Sequence, residues 1–499
     1  MGRQLSTTTL LATAVVAVYV LVIVGATAAL ADAAAACSGW PTCGGDLVLS
    51  DPAVVVAVFH RLAAAVVGLL LVGVAAVALA RGDLRRRSWV ALVVALLLYP
   101  VQAAFGALVA TGAGAGYSGL HLLVAMAIFA ALVVALAWHL EAETGTDDAP
   151  ESPPEPTAAP GLPTAETAET AETSSAPASH ASTDAPSGVP SETSTDAPSV
   201  APGGGTAPSP TGLVRVSVTA RAYLELTKPR LMWLLCLVAG AGMALAGTPT
   251  IRTVVATLGG GVLAIGAAGT FNHVFERDID RLMERTADRP VATHVVPVRN
   301  ALAFGGLLTV ASLGAFLTVN LLVAALGLAA IVFYSVVYTL LLKPNTVQNT
   351  VIGGAAGALP ALIGYAAVAE TVGLAGLVLA GVIFLWTPAH FYNLALAYRD
   401  DYERGGFPMM PVVRGETETR KHILLYLGAT LLGAAGLTAL SDLGWLYASV
   451  TVALGAVFLW AVIRLHHEQS EPAAFRAFHA SNAFLGLVLV AVVVDALAF

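Results

Sequence analysis

Apolar residues fall in thirteen long runs separated by short polar turns, and the elements follow from that pattern. Four runs come first: one to about Leu30, one beginning near Pro52, one from about Trp89 to Val109, and one opening at Gly119-Leu120-His121. About nine more follow, near residues 231–247, 253–274, 299–318, 321–341, 350–368, 372–393, 422–440, 445–464 and 478–498. Runs of about 18 to 22 residues can each cross a bilayer core as a helix. The pattern predicts an all-α polytopic membrane protein with about 13 transmembrane helices.

The runs form two groups. From about Glu141 to Thr211 the chain is Pro, Ser, Thr, Ala, Glu and Gly with scarcely any large apolar residue. Such a segment buries too little surface to offset the entropy of ordering. The expected organisation is a four-helix membrane module over 1–140, a disordered linker over 141–212 and a nine-helix bundle over 213–499.

Composition agrees: 57% of the 499 residues are hydrophobic and 11% charged. Much of the net charge of −8 belongs to the linker, so it says little about the catalytic parts. Membrane lipid is an expected partner and nucleic acid is not. If the first helix enters from the cytoplasm, every basic residue except Arg61 and Arg252 falls on a cytoplasmic segment, a strong positive-inside bias. The expected placement is the cell membrane, with the N-terminus inside and the C-terminus outside.

The most informative polar stretch runs from Asn272 to Pro290, straight off an apolar run. On a helix Asn272, Glu276 and Asp280 fall at i, i+4 and i+8, which stacks three oxygen ligands on one face. Oxygen ligands at a membrane edge, interleaved with arginines, suit Mg²⁺ and a diphosphate, since the hard cation prefers carboxylate and phosphate oxygens. Asp278 points away from that face and reads as a salt-bridge residue. A second cluster runs from Trp386 to Gly406, where Asn393 and Asp401 are again eight apart, with Asp400 and His390 nearby. Both clusters open to the cytoplasmic side, where Arg277, Lys343 and Arg399 are candidates to neutralise a leaving diphosphate. The expected metal ligands are Asn272, Glu276 and Asp280 at one site and Asn393, Asp400 and Asp401 at the other.

The N-terminal module carries its own chemistry. Cys37 and Cys43 flank a turn-rich loop and lie close enough to bridge, the alternative being two free thiols. A lipoprotein-type signal ending at Cys37 is conceivable, but the length of the first apolar run favours a retained helix. His60 and His121 reach the same outer membrane level on two helices of the same sense. Paired imidazoles from facing helices are a common way to hold haem iron; hydrogen-bonded packing is the bland alternative.

Two resemblances join these features. Cys37 and Cys43 around Gly39-Trp40-Pro41, then His60-Arg61, Val101 to Gly106 and His121 resemble one half of the haem A synthase family. That family places a glutamate three residues before its first histidine, and Ala57 stands there, so the likeness implies haem bound at His60 and His121 more than methyl-group oxidation. Residues from about 220 to 499 are similar to the UbiA-type prenyltransferases and, within them, the protohaem IX farnesyltransferases or haem O synthases. The carrying phrases are Leu226 to Arg230, Asn272 to Pro290, Tyr338-Thr339 with Leu342 to Pro344, Asn349 to Ala358, Trp386 to Phe391, and Asp400 to Tyr402 with Pro408 to Pro411.

The second resemblance implies a nine-helix bundle around a cavity, with Mg²⁺ and farnesyl diphosphate at its cytoplasmic mouth and haem B as the acceptor substrate. It implies catalysis by Asn272, Glu276, Asp280, Asp400 and Asp401, and makes His390 a candidate haem contact, with helix capping as the alternative. A haem A synthase or a terminal-oxidase assembly would be the natural next partner, and an oligomer is open. Competing readings are a UbiA-type enzyme with a quinone or lipid acceptor, and a membrane haem carrier.

Overall fold

The computed structural model describes residues 6–30, 33–37, 39–43, 50–112, 116–145 and 212–498. The linker expected over 141–212 lies outside the described residues except at its two ends. There the fourth helix continues to Thr144, and a further helix begins at Gly212.

The N-terminal helices are α1 (Thr7–Leu30), α2 (Pro52–Arg81), α3 (Arg86–Ala110) and α4 (Tyr117–Thr144). Next come α5 (Gly212–Leu226), α6 (Pro229–Ala246), α7 (Ile251–Phe275), α8 (Val298–Leu317) and α9 (Leu321–Leu342). The chain ends with α10 (Asn349–Ala369), α11 (Leu374–Ala397), α12 (Glu416–Leu440), α13 (Trp445–Glu468) and α14 (Glu471–Ala498). Thirteen of these, all but α5, are long and apolar enough to cross a membrane. This is a multi-pass membrane protein.

Local chemistry sets the boundaries. Asp51 caps α2 by accepting from the Ala53 N–H at 2.9 Å, with Pro52 at the first helical position, where its missing N–H costs nothing. Gly82 closes the helix in the left-handed region at φ 64°. Asn320 caps α9 through Val323 N–H at 2.8 Å and donates to the Ala366 carbonyl at 2.9 Å, tying α9 to α10.

Within the nine-helix part, α6 packs on α10 and α14, α7 on α8, and α11 on α10, α12 and α14. Glycine permits the closest approach. A Cβ at Gly364 of α10 would lie 1.9 Å from the Ala239 carbonyl of α6, and one at Gly242 would lie 2.3 Å from the Ala361 carbonyl. Small residues letting backbones touch are the usual device for packing helices in lipid, where apolar side chains gain nothing by leaving the solvent.

Residues 1–151 and 218–499 form one compact unit, and 152–217 fall in a second of which almost nothing is described. In the first unit α1 and α4 pack on α12 and α13. Tyr19 Oη donates to the Leu431 carbonyl at 3.2 Å, Lys421 Nζ to Glu141 Oε1 at 2.8 Å, and Gln469 Nε2 to the Thr144 carbonyl at 2.6 Å.

Candidate active site

The first acidic stretch starts as expected and then departs from a single helix. α7 stops at Phe275; Glu276 adopts φ −95°, ψ 0°, and the chain resumes as one turn, Arg277–Asp280. The Asp280 N–H still donates to the Glu276 carbonyl at 2.8 Å, so the register survives the break. Asn272, Glu276 and Asp280 turn inward, at 2%, 3% and 1% exposure. Asp278 is on the exposed side, paired with Arg277 and Arg281.

Three bases meet the inward face. Lys343 Nζ donates to Glu276 Oε1 at 2.7 Å. Arg289 Nη1 donates to both Asp280 oxygens, at 2.7 and 2.9 Å, and lies 3.7 Å from Glu276 Oε2. Lys228 Nζ donates to Asn272 Oδ1 and, at 3.3 Å, to Tyr334 Oη. The Asn272 amide completes the set by donating to Thr339 Oγ1 at 3.2 Å.

Each base is delivered by an irregular piece of backbone. Lys228 sits at φ 53°, ψ 57°, a left-handed conformation directly before Pro229, where sterics favour an extended one. Such a residue costs on the order of 1–3 kcal/mol and persists where its surroundings over-determine it. Gly269 supplies those surroundings: a Cβ there would lie 2.9 Å from the Leu226 carbonyl and 3.3 Å from Lys228 Cγ. Lys343 follows a π-helical stretch, Phe333–Leu342, in which the Lys343 N–H donates to the Tyr338 carbonyl at 2.9 Å. π-turns are rare and concentrate at functional sites; this one brings Tyr334, Thr339 and Lys343 to the acids. Arg289 returns to the site because Thr286, buried, donates to the Asp280 carbonyl at 3.0 Å and folds the 281–289 segment back.

The electrostatics follow. Burial alone would push Glu276 up, but Lys343, Lys228 and Arg289 outweigh it and hold the carboxyl below its ordinary range. For Asp280 burial prevails over Arg289 and the carboxyl is raised. Burial, helped by neighbouring Arg289, pushes Lys228 down to about 7 against the pull of Glu276.

The second cluster is arranged differently from a helical face. α11 ends at Ala397 and a new turn, Arg399–Arg404, carries the acids. Asp400 is exposed. Asp401 accepts from the main-chain N–H groups of Glu284 at 2.7 Å and Arg285 at 3.3 Å, and from Arg404 at 2.8 Å. Burial raises its pKa, but these donors outweigh burial and hold it low. Asn393 is wholly buried; its amide donates to the Ala389 carbonyl at 2.6 Å and its Oδ1 has no partner.

Of the three bases expected at a diphosphate, the structure brings Lys343 to the acids. Arg277 turns to Asp278 at 3.3 Å and Arg399 to Glu416 at 3.6 Å. Lys228 and Arg289 take the places that sequence reasoning assigned to those two. The available signals were the polar Thr227-Lys228-Pro229 start and the Arg289-Pro290 stop.

His390 is not at a helix end. It stacks between Trp386 (centroids 4.2 Å apart) and Phe478 (4.4 Å), with Nδ1 2.6 Å from Ser481 Oγ. At the other ends of the helices, His60 lies against Gly25 of α1 and His121 against Gly106 of α3; a Cβ at either glycine would be 3.1 Å from the facing imidazole carbon. His121 contacts the Gln102 amide nitrogen at 3.2 Å and carbonyl at 3.1 Å, while His60 Nδ1 and Gln102 Oε1 are buried without partners. Arg61 donates to the Cys37 carbonyl at 2.8 Å, and Cys37 is disulfide-bonded to Cys43.

Among the described residues no three acidic, histidine or cysteine side chains converge as a ready metal cage. The donor set nonetheless fits Mg²⁺, which takes one or two carboxylates and completes its shell with water and phosphate oxygens. Glu276 and Asp280 share Arg289 as a partner, and Asn393 Oδ1 is unsatisfied.

The UbiA prenyltransferase family matches residues 233–488, just over half the chain. A protoheme IX farnesyltransferase of Natronomonas pharaonis is 68% identical over 98% of this chain and 98% of its own length. One from Haloarcula marismortui is 59% identical over the full length of both. A solved UbiA homologue from Archaeoglobus fulgidus, bound to GPP and Mg²⁺, is 17% identical with a TM-score of 0.43, covering 54% of this chain and 99% of that one. Near-complete coverage at such identity, together with the family match, means that this chain belongs to the UbiA prenyltransferase family, among its protoheme IX farnesyltransferases.

Proposed function

We propose that the chain transfers the farnesyl group of farnesyl diphosphate to a vinyl group of protohaem IX, giving haem O for haem-copper respiratory oxidases. The single observation that carries the site assignment is the inward cluster of Asn272, Glu276 and Asp280 matched by Lys228, Lys343 and Arg289. Three cations around two buried carboxylates leave positive charge to receive an anion, and diphosphate is the anion the substrate presents.

In this reading Lys228, Lys343 and Arg289 bind the diphosphate oxygens and stabilise the charge that develops as the allylic C–O bond breaks and the electron pair leaves with diphosphate. Asn272, Glu276 and Asp280, with Asn393, Asp400 and Asp401 from the second segment, would hold Mg²⁺, which when bound supplies further charge neutralisation of the leaving group. Walls such as half-buried Tyr334 and buried Thr339 keep bulk water from the allylic cation. The vinyl π electrons form the new C–C bond, water adds to the resulting porphyrin-side cation and a proton is released. Asp401 acts first by ordering the segment that delivers Arg289.

The bias of basic residues supports a cytoplasmic mouth for this site. For the N-terminal helices we read a haem-holding role at His60 and His121. Each imidazole packs directly on a glycine, His60 on Gly25 and His121 on Gly106, and His60 Nδ1 is buried and unpaired, so a ligand there would satisfy it. His390, stacked between aromatic rings, would act on a haem by shaping the cavity wall.

The test is extraction and mass analysis of haems from a host that makes only haem B. The full chain should yield haem O, Glu276→Ala/Asp280→Ala should yield none, and His60→Ala/His121→Ala should still yield haem O while losing any haem that co-purifies with the wild type. Haem O persisting in the acid double variant would overturn the site, and a farnesylated product other than haem O would overturn the acceptor.

A further inference from the structure

Seven arginines lie on the two segments that follow α7 and α11. Five pair with carboxylates: Arg277 and Arg281 with Asp278, Arg289 with Asp280, Arg399 with Glu416, and Arg404 with Asp401. Arg414 and Arg285 meet no carboxylate among the described residues, and of the two it is Arg285 that is set against aromatic rings. It is exposed, yet it is held: its main-chain N–H donates to Asp401 Oδ2 at 3.3 Å, and its guanidinium lies over Tyr398 (5.0 Å to the centroid) and Tyr402 (5.6 Å). Arg285 Nη2 also reaches Tyr402 Oη at 3.4 Å.

This arginine is next to the site. Tyr402 packs edge-on to Phe407 at 6.4 Å, and Phe407 carries the Lys343 ammonium 4.2 Å from its centroid. Adjacent rings thus bear two positive charges, Lys343 committed to Glu276 and the diphosphate set, Arg285 committed to nothing acidic.

The acceptor supplies a second anion. Protohaem carries its propionates on the edge of the macrocycle away from its vinyl groups. When a vinyl is offered to the allylic carbon beside Glu276, the propionates face out of the site toward water. An exposed planar fork fixed in place by stacking is the side chain suited to a carboxylate there. We infer that Arg285 binds a propionate of the acceptor porphyrin, with Tyr398 and Tyr402 holding the guanidinium in place; this rests on protohaem being the acceptor. The site therefore has two anion-binding zones, one for the donor and one that recognises the acceptor by the edge that does not react.

The test uses the purified full chain, farnesyl diphosphate, and two acceptors: protohaem and its dimethyl ester, which lacks the charges. The wild type should prefer the diacid. In Arg285→Gln the KM for protohaem should rise about 10- to 100-fold, as expected for a charge-assisted hydrogen bond, and the preference for diacid over ester should collapse. Arg285→Lys should recover part of the preference, and the KM for farnesyl diphosphate should stay within about twofold in both variants. The ratio of the two acceptors is independent of how much variant folds. A wild type indifferent to esterification, a preference that survives in Arg285→Gln, or a rise confined to the farnesyl diphosphate KM would overturn the inference and leave farnesylation standing. A wild type that farnesylates neither porphyrin would overturn the acceptor assignment and this inference with it.

Discussion

Asp401 accepts the main-chain N–H of Glu284 at 2.7 Å, a bond between the segment after α11 and the segment after α7. The two acid-rich segments are therefore joined, and a carboxylate of the second cluster accepts from the main chain of the first. Asp401→Ala should release the 284–285 turn, and amide hydrogen exchange at Glu284 and Arg285 should quicken about tenfold or more. Because the Asp401 pKa is held low, the tie is intact at neutral pH and is lost only as pH falls through that depressed value.

Lys228 is a group of the site whose charge changes near neutrality. Below about 7 its ammonium is present to meet diphosphate; above, binding must take up a proton. The KM for farnesyl diphosphate should rise with pH above about 7, by up to about tenfold per unit, and Lys228→Arg should flatten that limb. For folding the sign is opposite: between about 7 and the ordinary lysine value the unfolded chain binds the extra proton, so stability gains as pH rises.

Gly364→Ala tests the backbone contact between α6 and α10. The added methyl meets the Ala239 carbonyl, which no rotamer change can relieve. Overpacking of this kind costs about 1–3 kcal/mol or more. Since α6 begins beside Lys228, thermal stability in detergent and the farnesyl diphosphate KM should both worsen.

Gly428→Leu tests the contact of the N-terminal helices with α12. A Cβ at Gly428 would already lie 2.6 Å from Val133 Cγ1 of α4. The variant should lower the melting temperature of the full chain, and Glu141 should lose its Lys421 partner, which a cysteine cross-link between positions 141 and 421 would report as a fall in yield.

Much of this was legible in the chain because a membrane imposes length: a core of about 30 Å demands runs that any reader can find. Asn272, Glu276 and Asp280 were legible because a four-residue repeat keeps one face even where the helix breaks at Glu276. The bases were not. Arg277 and Arg399 sit beside acids in sequence, but a side chain one position along a helix points elsewhere, and they pair with Asp278 and Glu416. Arg289 and Lys228 arrive by chain reversal and by a left-handed residue, and neither leaves a periodic trace. The π-helical stretch before Lys343 shifts register by one residue per turn, which apolar spacing cannot reveal.

The internal pairing of acids and bases has a consequence for the order of events. Lys343 and Arg289 already answer the charges of Glu276 and Asp280. A bare divalent ion would have to evict them without offering anything in return, and a bare diphosphate would draw them away and leave two carboxylates facing each other. Arriving together, the two ligands let every charge exchange partners at once. On the proposed reading each would then raise the affinity for the other by the same factor, and the resting ion pairs would favour the metal–diphosphate complex over either component by itself.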